Sequence, residues 1–195
     1  MASQAERKAK TRQKLINAAR RLFEKHGFDD VSVDQIVKAA NVAKGTFYQY
    51  YQSKVDVLAD MTRGDGAERR RQTLVAVANG MPAIPVLAQF IDALCQWFEE
   101  HEKIAEALIH DSFRVNVEEA DSDAHHYNRT FIVALIKLAQ EQGSMRTDVP
   151  AEELAKVLGG SLIASVLWWA QAPQPGALVK SMQHTMRVFL EGAKL

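Results

Sequence analysis

The sequence predicts an all-α protein of about nine helices in two parts, and three observations predict it. Apolar residues recur at helical spacing along almost the whole chain. Alternating β-branched runs bounded by turns are missing. Breakers such as GMPAIP (80–85) and QAPQPG (171–176) fall between long periodic segments. With 195 residues, 47% of them hydrophobic and 25% charged, the chain can bury a sizeable core, and wholesale disorder is excluded.

In the first element Leu15, Ala18, Ala19, Leu22 and Phe23 share one face, with Thr11 as candidate N-cap and Gly27 as terminator. Ser32 and Gln35 form a capping box for a short second helix over about Val33–Ala40, and Val31 and Ile36 occupy hydrophobic-staple positions. Asn41 follows, a residue that tolerates positive φ. A third helix is expected over Lys44–Tyr51, and Ser53 with Asp56 opens a long fourth.

Beyond the GMPAIP breaker, Leu87, Ile91, Leu94 and Phe98 mark helix five. A short helix is expected near Lys103–Asp111, then a polar run VEEADSD (117–123). A helix through Tyr127, Phe131, Leu135 and Leu138 ends at Gly143. Pro150, with acids just behind it, starts the next helix, which suits the helix dipole. The last helix carries Leu178, Met182, Phe189 and Leu190.

Net charge is zero, but it is unevenly spread. Residues 1–56 hold 11 Lys/Arg against 6 Asp/Glu, a net +5, and residues 57–195 carry −5. A basic head on an acidic body points to a polyanion as partner of the head. Three short helices with a tight turn between the second and third form a helix-turn-helix unit, whose third helix enters the DNA major groove. Ile36, Val37, Val42, Phe47 and Tyr51 are its expected core. That leaves Lys44, Gly45, Thr46, Tyr48, Gln49 and Tyr50 outward, an odd set for a merely solvated face. Lys, Thr and Tyr donate to phosphate, Gln49 can read an adenine edge, and Gly45 lets the backbone approach a duplex.

The stretch NVAKGTFYQYYQSKVDVL, with TRQKLINAARRLFEKHGFDDVSVDQIVKAANV before it, resembles the signature of the TetR family of bacterial transcriptional repressors over Thr11–Leu58. The resemblance implies an all-helical homodimer, with a DNA-binding domain at 1–56 and a ligand-sensing, dimerising domain at 57–195. It puts Lys44, Gly45, Thr46, Tyr48, Gln49 and Tyr50 at DNA-facing positions. Lys54 matches a lysine that commonly contacts phosphate, and Asp34 a position that reads bases in some members. Ala43 stands in place of the usual Ser or Thr cap, Asn41 in place of glycine, Tyr50 in place of histidine and Gln52 in place of proline. Asp34, being acidic, would accept from cytosine.

For the body, Phe90, Leu94, Phe113, Tyr127, Phe131 and Trp168 are the expected lining of an effector pocket, which favours an apolar or aromatic ligand. Trp169, Leu178, Met182 and Phe189 are the expected dimer interface, since Trp168 and Trp169 cannot both face one small core. Ligand binding would act by shifting helix four.

Other chemistry finds little support. The only cysteine, Cys95, lies on an apolar helix and reads as a buried thiol. His101 and His110 read as surface residues. His125 and His126, being adjacent, point apart and make poor joint ligands with Asp121 and Asp123, so no metal or other cofactor is expected. The uncharged run Val157–Val179 is broken by its second half, and its apolar part, which ends near Ala170, is shorter than the ~20 apolar residues that a membrane span needs. The sequence therefore predicts a cytoplasmic regulator that binds double-stranded operator DNA as a homodimer and answers to a small-molecule effector. A helical enzyme and a helical interaction module remain open as rival classes.

Overall fold

A computed structural model describes residues 3–105, 107–108, 123–171 and 173–193, with backbone only for 123–128. The first helix, α1, runs over Gln4–His26 and is started by Ser3, not Thr11. Ser3 and Glu6 form a reciprocal capping box. Thr11 lies inside the helix and donates to the Arg7 carbonyl. Its short hydroxyl side chain suits a cap, but a better box lies two turns upstream. Gly27 ends α1 at φ 86°.

The Ser32–Gln35 box opens α2 (Val33–Ala40), and Asn41 ends it in the left-handed region at φ 54°. The third helix, α3, covers only Lys44–Tyr48, shorter than the Lys44–Tyr51 expected. Ala43 supplies no side-chain cap. In α4 (Lys54–Ala78) Asp56 takes the N–H groups of both Gln52 and Ser53, so the predicted start holds.

Further along lie α5 (Ala83–Glu100), a helical stretch α6 at 102–105 and 107–108, α7 (Asp123–Glu141), α8 (Ala151–Gln171) and α9 (Ala177–Ala193). Among the described residues there is no strand.

The chain divides into two compact units, Met1–Asp65 and Gly66–Leu195, so α4 passes from one to the other. The division falls later than the expected boundary after residue 56. The first turns of α4 belong to the head: Val57, Leu58 and Met61 are buried, and Asp60 and Asp65 bond Arg12 and Arg20 of α1.

In the second unit α5 packs on α7 and α9, and α8 packs on the same two helices, closing a four-helix arrangement. Leu87, Ile91, Leu94, Ile136, Leu158, Leu178 and Met182 lie in one apolar cluster at its centre. Long-range polar contacts position the ends. Pro82 cannot cap α5, and Gln142 accepts the Ala83 N–H instead, at 2.9 Å. Glu99 accepts from the N–H groups of Gly176, Leu178 and Val179, and so caps α9. α8 is long and apolar enough to cross a bilayer by composition, yet Leu154, Leu158, Leu162, Val166 and Trp169 on it are buried in this cluster.

Candidate nucleic-acid interface and effector site

The head is built on a core that leaves one face of α3 outward. Ile36, Val37, Phe47 and Tyr51 are buried as expected, and Val42 is half-buried. Phe47 meets Tyr48 and Tyr51 edge-on or tilted, at 5.4 and 5.7 Å between ring centres. Lys44, Gly45, Tyr48 and Gln49 are exposed, while Thr46 and Tyr50 are half-buried. A Cβ added at Gly45 would meet nothing within 4 Å. The head's own packing therefore does not require glycine there, although glycine weakens a helix by about 1 kcal/mol relative to alanine.

Asp34 also lies on this outward side. Its Oδ1 is 2.8 Å from Lys44 Nζ, and both side chains are more than half exposed. Donation to Asp34 raises the Lys44 ammonium above its ordinary value. Lys44 therefore does not stand alone as a phosphate donor, as the sequence suggests.

Lys54 departs further from expectation. Its ammonium donates to the carbonyls of Phe28 (2.6 Å), Asp29 (3.1 Å) and Val31 (3.0 Å), and it sits 4.4 Å from the centre of the Phe28 ring. An ammonium has three hydrogens, and all three are spent on the α1–α2 loop. Lys54 is thus a clasp that holds this loop against the start of α4, where a phosphate contact was expected.

Behind the interface, Tyr51 and Arg12 converge on Asp60, and Arg20 grips Asp65 through two bonds of 2.8 Å. The two arginine pairs join residues 48 and 45 apart, which is why spacing could not reveal them.

In the second unit Phe90 and Leu94 are buried, and Phe90 packs on Phe131 with ring centres 5.1 Å apart. Phe90 also lines a cavity of about 100 Å³ with Arg69, Gln72, Thr73 and Ala76 of α4 and Val86, Gln89 and Ala93 of α5. Arg69 lies over the Trp97 ring at 5.4 Å. His101, expected at the surface, is half-buried and stacks on Trp97 at 4.7 Å. Cys95 is buried, and burial pushes its thiol up to about 12. Among the described residues no cluster of three His, Cys, Asp or Glu could hold a metal.

The helix-turn-helix is also what the comparisons find. Residues 15–61 match the model of bacterial regulatory proteins of the tetR family. Residues 83–194, more than half the chain, match the SbtR-like transcriptional regulator C-terminal domain. The chain belongs to the TetR family. It is a DNA-binding transcriptional regulator.

Among the relatives, an HTH-type transcriptional repressor of Streptomyces coelicolor is 24% identical over 168 residues, covering 84% of this chain and 80% of its own length. The AcnR repressor of Corynebacterium efficiens is 26% identical over 150 residues, covering 74% and 73%. Among solved structures, Thermus thermophilus FadR in complex with lauroyl-CoA superposes with a TM-score of 0.80 at 27% identity, covering 94% of this chain and 95% of that one. Bacillus subtilis FadR in complex with stearoyl-CoA shares the fold, with a TM-score of 0.77 at 18% identity over 92% and 98% of the two chains.

Within this TetR-family body, the expected sites need correction. Trp168 is 75% exposed, where a pocket-lining side chain was expected. Trp169 is buried and donates its indole N–H to the Gln174 carbonyl. The two tryptophans differ in burial because adjacent helical residues lie about 100° apart. Leu178 and Met182 are fully buried in their own subunit and cannot meet a second one, while Phe189 is half-buried against the core. The apolar residues α8 and α9 leave outward are Val157, Ile163, Trp168 and Val188. Phe113 and the side chain of Tyr127 lie outside the described residues, as do His110, Asp121 and the side chains of His125 and His126.

Proposed function

We propose that this chain acts as a homodimeric repressor that binds a pseudo-palindromic operator and is released by a small, largely apolar effector. The observation that carries the reading is the outward face of α3, with Gly45 open to an approaching surface and Tyr48 and Gln49 exposed beside it. Two such faces enter successive major grooves, about 34–36 Å apart or a larger multiple.

Dimerisation through α8 and α9 is supported by Val157, Ile163, Trp168 and Val188, a set of large apolar side chains left in water by the subunit. Such side chains are the material of an isologous interface.

The effector reading is supported by the Phe90–Phe131 pair beside the cavity between α4 and α5. At about 100 Å³ this cavity is smaller than ligand pockets, which begin near ~300 Å³. A ligand enters when α4 and α5 part. That displacement moves the helix that also carries Lys54 in the head, and the ligand works by favouring a head arrangement that fits the operator poorly. The lauroyl-CoA in complex with Thermus FadR makes aliphatic chains the first effectors to try. Such a regulator works in the cytoplasm, where its DNA is.

The test is selection of bound duplexes from a random pool, followed by competition with a panel of acyl-CoAs, free fatty acids and aromatic molecules. A palindromic consensus bound by a dimer and released by an apolar member of the panel is expected. Release only by metal ions or simple polyanions overturns the effector reading.

A further inference from the structure

The Asp34–Lys44 pair has a chemistry that the rest of the outward face lacks. Asp34 is the second residue of α2, and Lys44 is the first of α3. A lysine at a helix N-terminus faces the positive end of the dipole, which is unfavourable. α3 has no acid of its own in the first turn and no side-chain cap. Asp34 supplies the missing anion from the neighbouring helix, so the 2.8 Å contact answers a local electrostatic need and fixes the carboxylate.

A carboxylate on a DNA-facing surface is repelled by phosphate unless it is neutralised. Paired with Lys44 it is neutral overall, and Oδ2 keeps its lone pairs for another donor. Base edges in the major groove offer few partners. Guanine shows two acceptors and thymine one. Adenine shows an N–H donor beside the N7 acceptor. Cytosine shows its N4 donor without an adjacent acceptor.

We propose that Asp34 and Lys44 form one neutral reading unit on the DNA face: Asp34 accepts from a cytosine N4 amino group, and Lys44 positions that carboxylate instead of neutralising a phosphate. Lys44 is then a positioning residue, and the base contact belongs to α2. The proposal rests on the head docking in the major groove.

The experiment uses the full-length protein and its selected operator, with each half-site position changed to every base, at several salt concentrations. The variants are Asp34→Asn, Lys44→Ala and the double variant, each checked for an unchanged thermal melt. Both side chains are exposed, so the fold should survive. The wild type should prefer cytosine at one position per half-site by about tenfold. Asp34→Asn should lose that preference, bind random duplex more tightly and steepen the salt dependence by about one unit of slope, because Lys44 is freed for phosphate. Lys44→Ala should weaken binding to every duplex, and the double variant should recover random-duplex affinity relative to it. If the wild type binds DNA but Asp34→Asn changes neither base preference nor slope, the proposal is overturned alone. If the wild type binds no duplex even at low salt, the docking reading falls with it.

Discussion

Tyr51 donates its phenolic hydrogen to Asp60 Oδ2 at 2.6 Å, and the same carboxylate receives Arg12 from α1. Burial alone would raise the Asp60 carboxyl, but donation from Arg12 and Tyr51 outweighs it and holds the group below the ordinary range. A carboxyl lowered on folding stabilises the head above its unfolded value, and that contribution is lost as pH falls through the folded one. Asp60→Asn should flatten the acid limb of stability measured against pH. Tyr51→Phe should cost about 2 kcal/mol in urea unfolding. An acid limb identical in wild type and Asp60→Asn would refute the assignment.

The Lys54 clasp separates stability from DNA contact. Lys54→Ala should destabilise the head by about 2 kcal/mol, as expected for loss of hydrogen bonds from a charged donor. The salt slope of DNA binding should stay unchanged, since no phosphate contact is lost. Urea unfolding and a salt titration read the two effects independently, and a slope reduced by one unit would restore the phosphate role.

Gly45→Ala should act in opposite directions on fold and function. Alanine should stabilise α3 by up to about 1 kcal/mol, because the space at Gly45 is open. Operator affinity should fall as the added methyl meets the duplex. Higher stability with undiminished binding would mean that Gly45 does not approach the DNA.

The two tryptophans of α8 should give different failures. Trp168→Glu should leave a folded subunit that sediments as a monomer and loses operator binding. Trp169→Ala should instead lower stability by about 3–5 kcal/mol through a core cavity. A Trp168→Glu protein that remains dimeric would remove α8 from the interface.

Cys95 should resist thiol reagents at neutral pH, because its thiol is buried and pushed up to about 12. Labelling should follow global unfolding in denaturant. Rapid labelling of the native protein would show that α5 opens locally.

Local chemistry is legible in the sequence and partner identity is not. Ser32, Gln35 and Asn41 announce the limits of α2 because capping acts within four residues. The outward face of α3 can be read from phase against Phe47 and Tyr51. On α8 phase is ambiguous, since residues on both its buried side and its exposed side are large and apolar, and spacing does not tell that Trp169 is buried and Trp168 exposed. The partners of Lys54 are hidden from the sequence for another reason. Its partners are backbone carbonyls 23–26 residues upstream, and every residue type has a carbonyl. Glu99 and Gln142 give no sequence signal for the same reason: each receives backbone N–H groups brought close only by tertiary structure.

The cap that Glu99 provides has a consequence for synthesis. Its partners follow it by 77 to 80 residues, a delay of several seconds at ribosomal speeds of about 5–20 residues per second. Until then α5 lacks α9, the helix that closes the four-helix arrangement, whereas every residue of the first unit has been made by Asp65. The part that grips DNA is therefore complete in the nascent chain well before the part that tells it to let go. On the proposed dimeric reading, a newborn subunit has its DNA-facing helices first and the means of pairing, and so of repression, last.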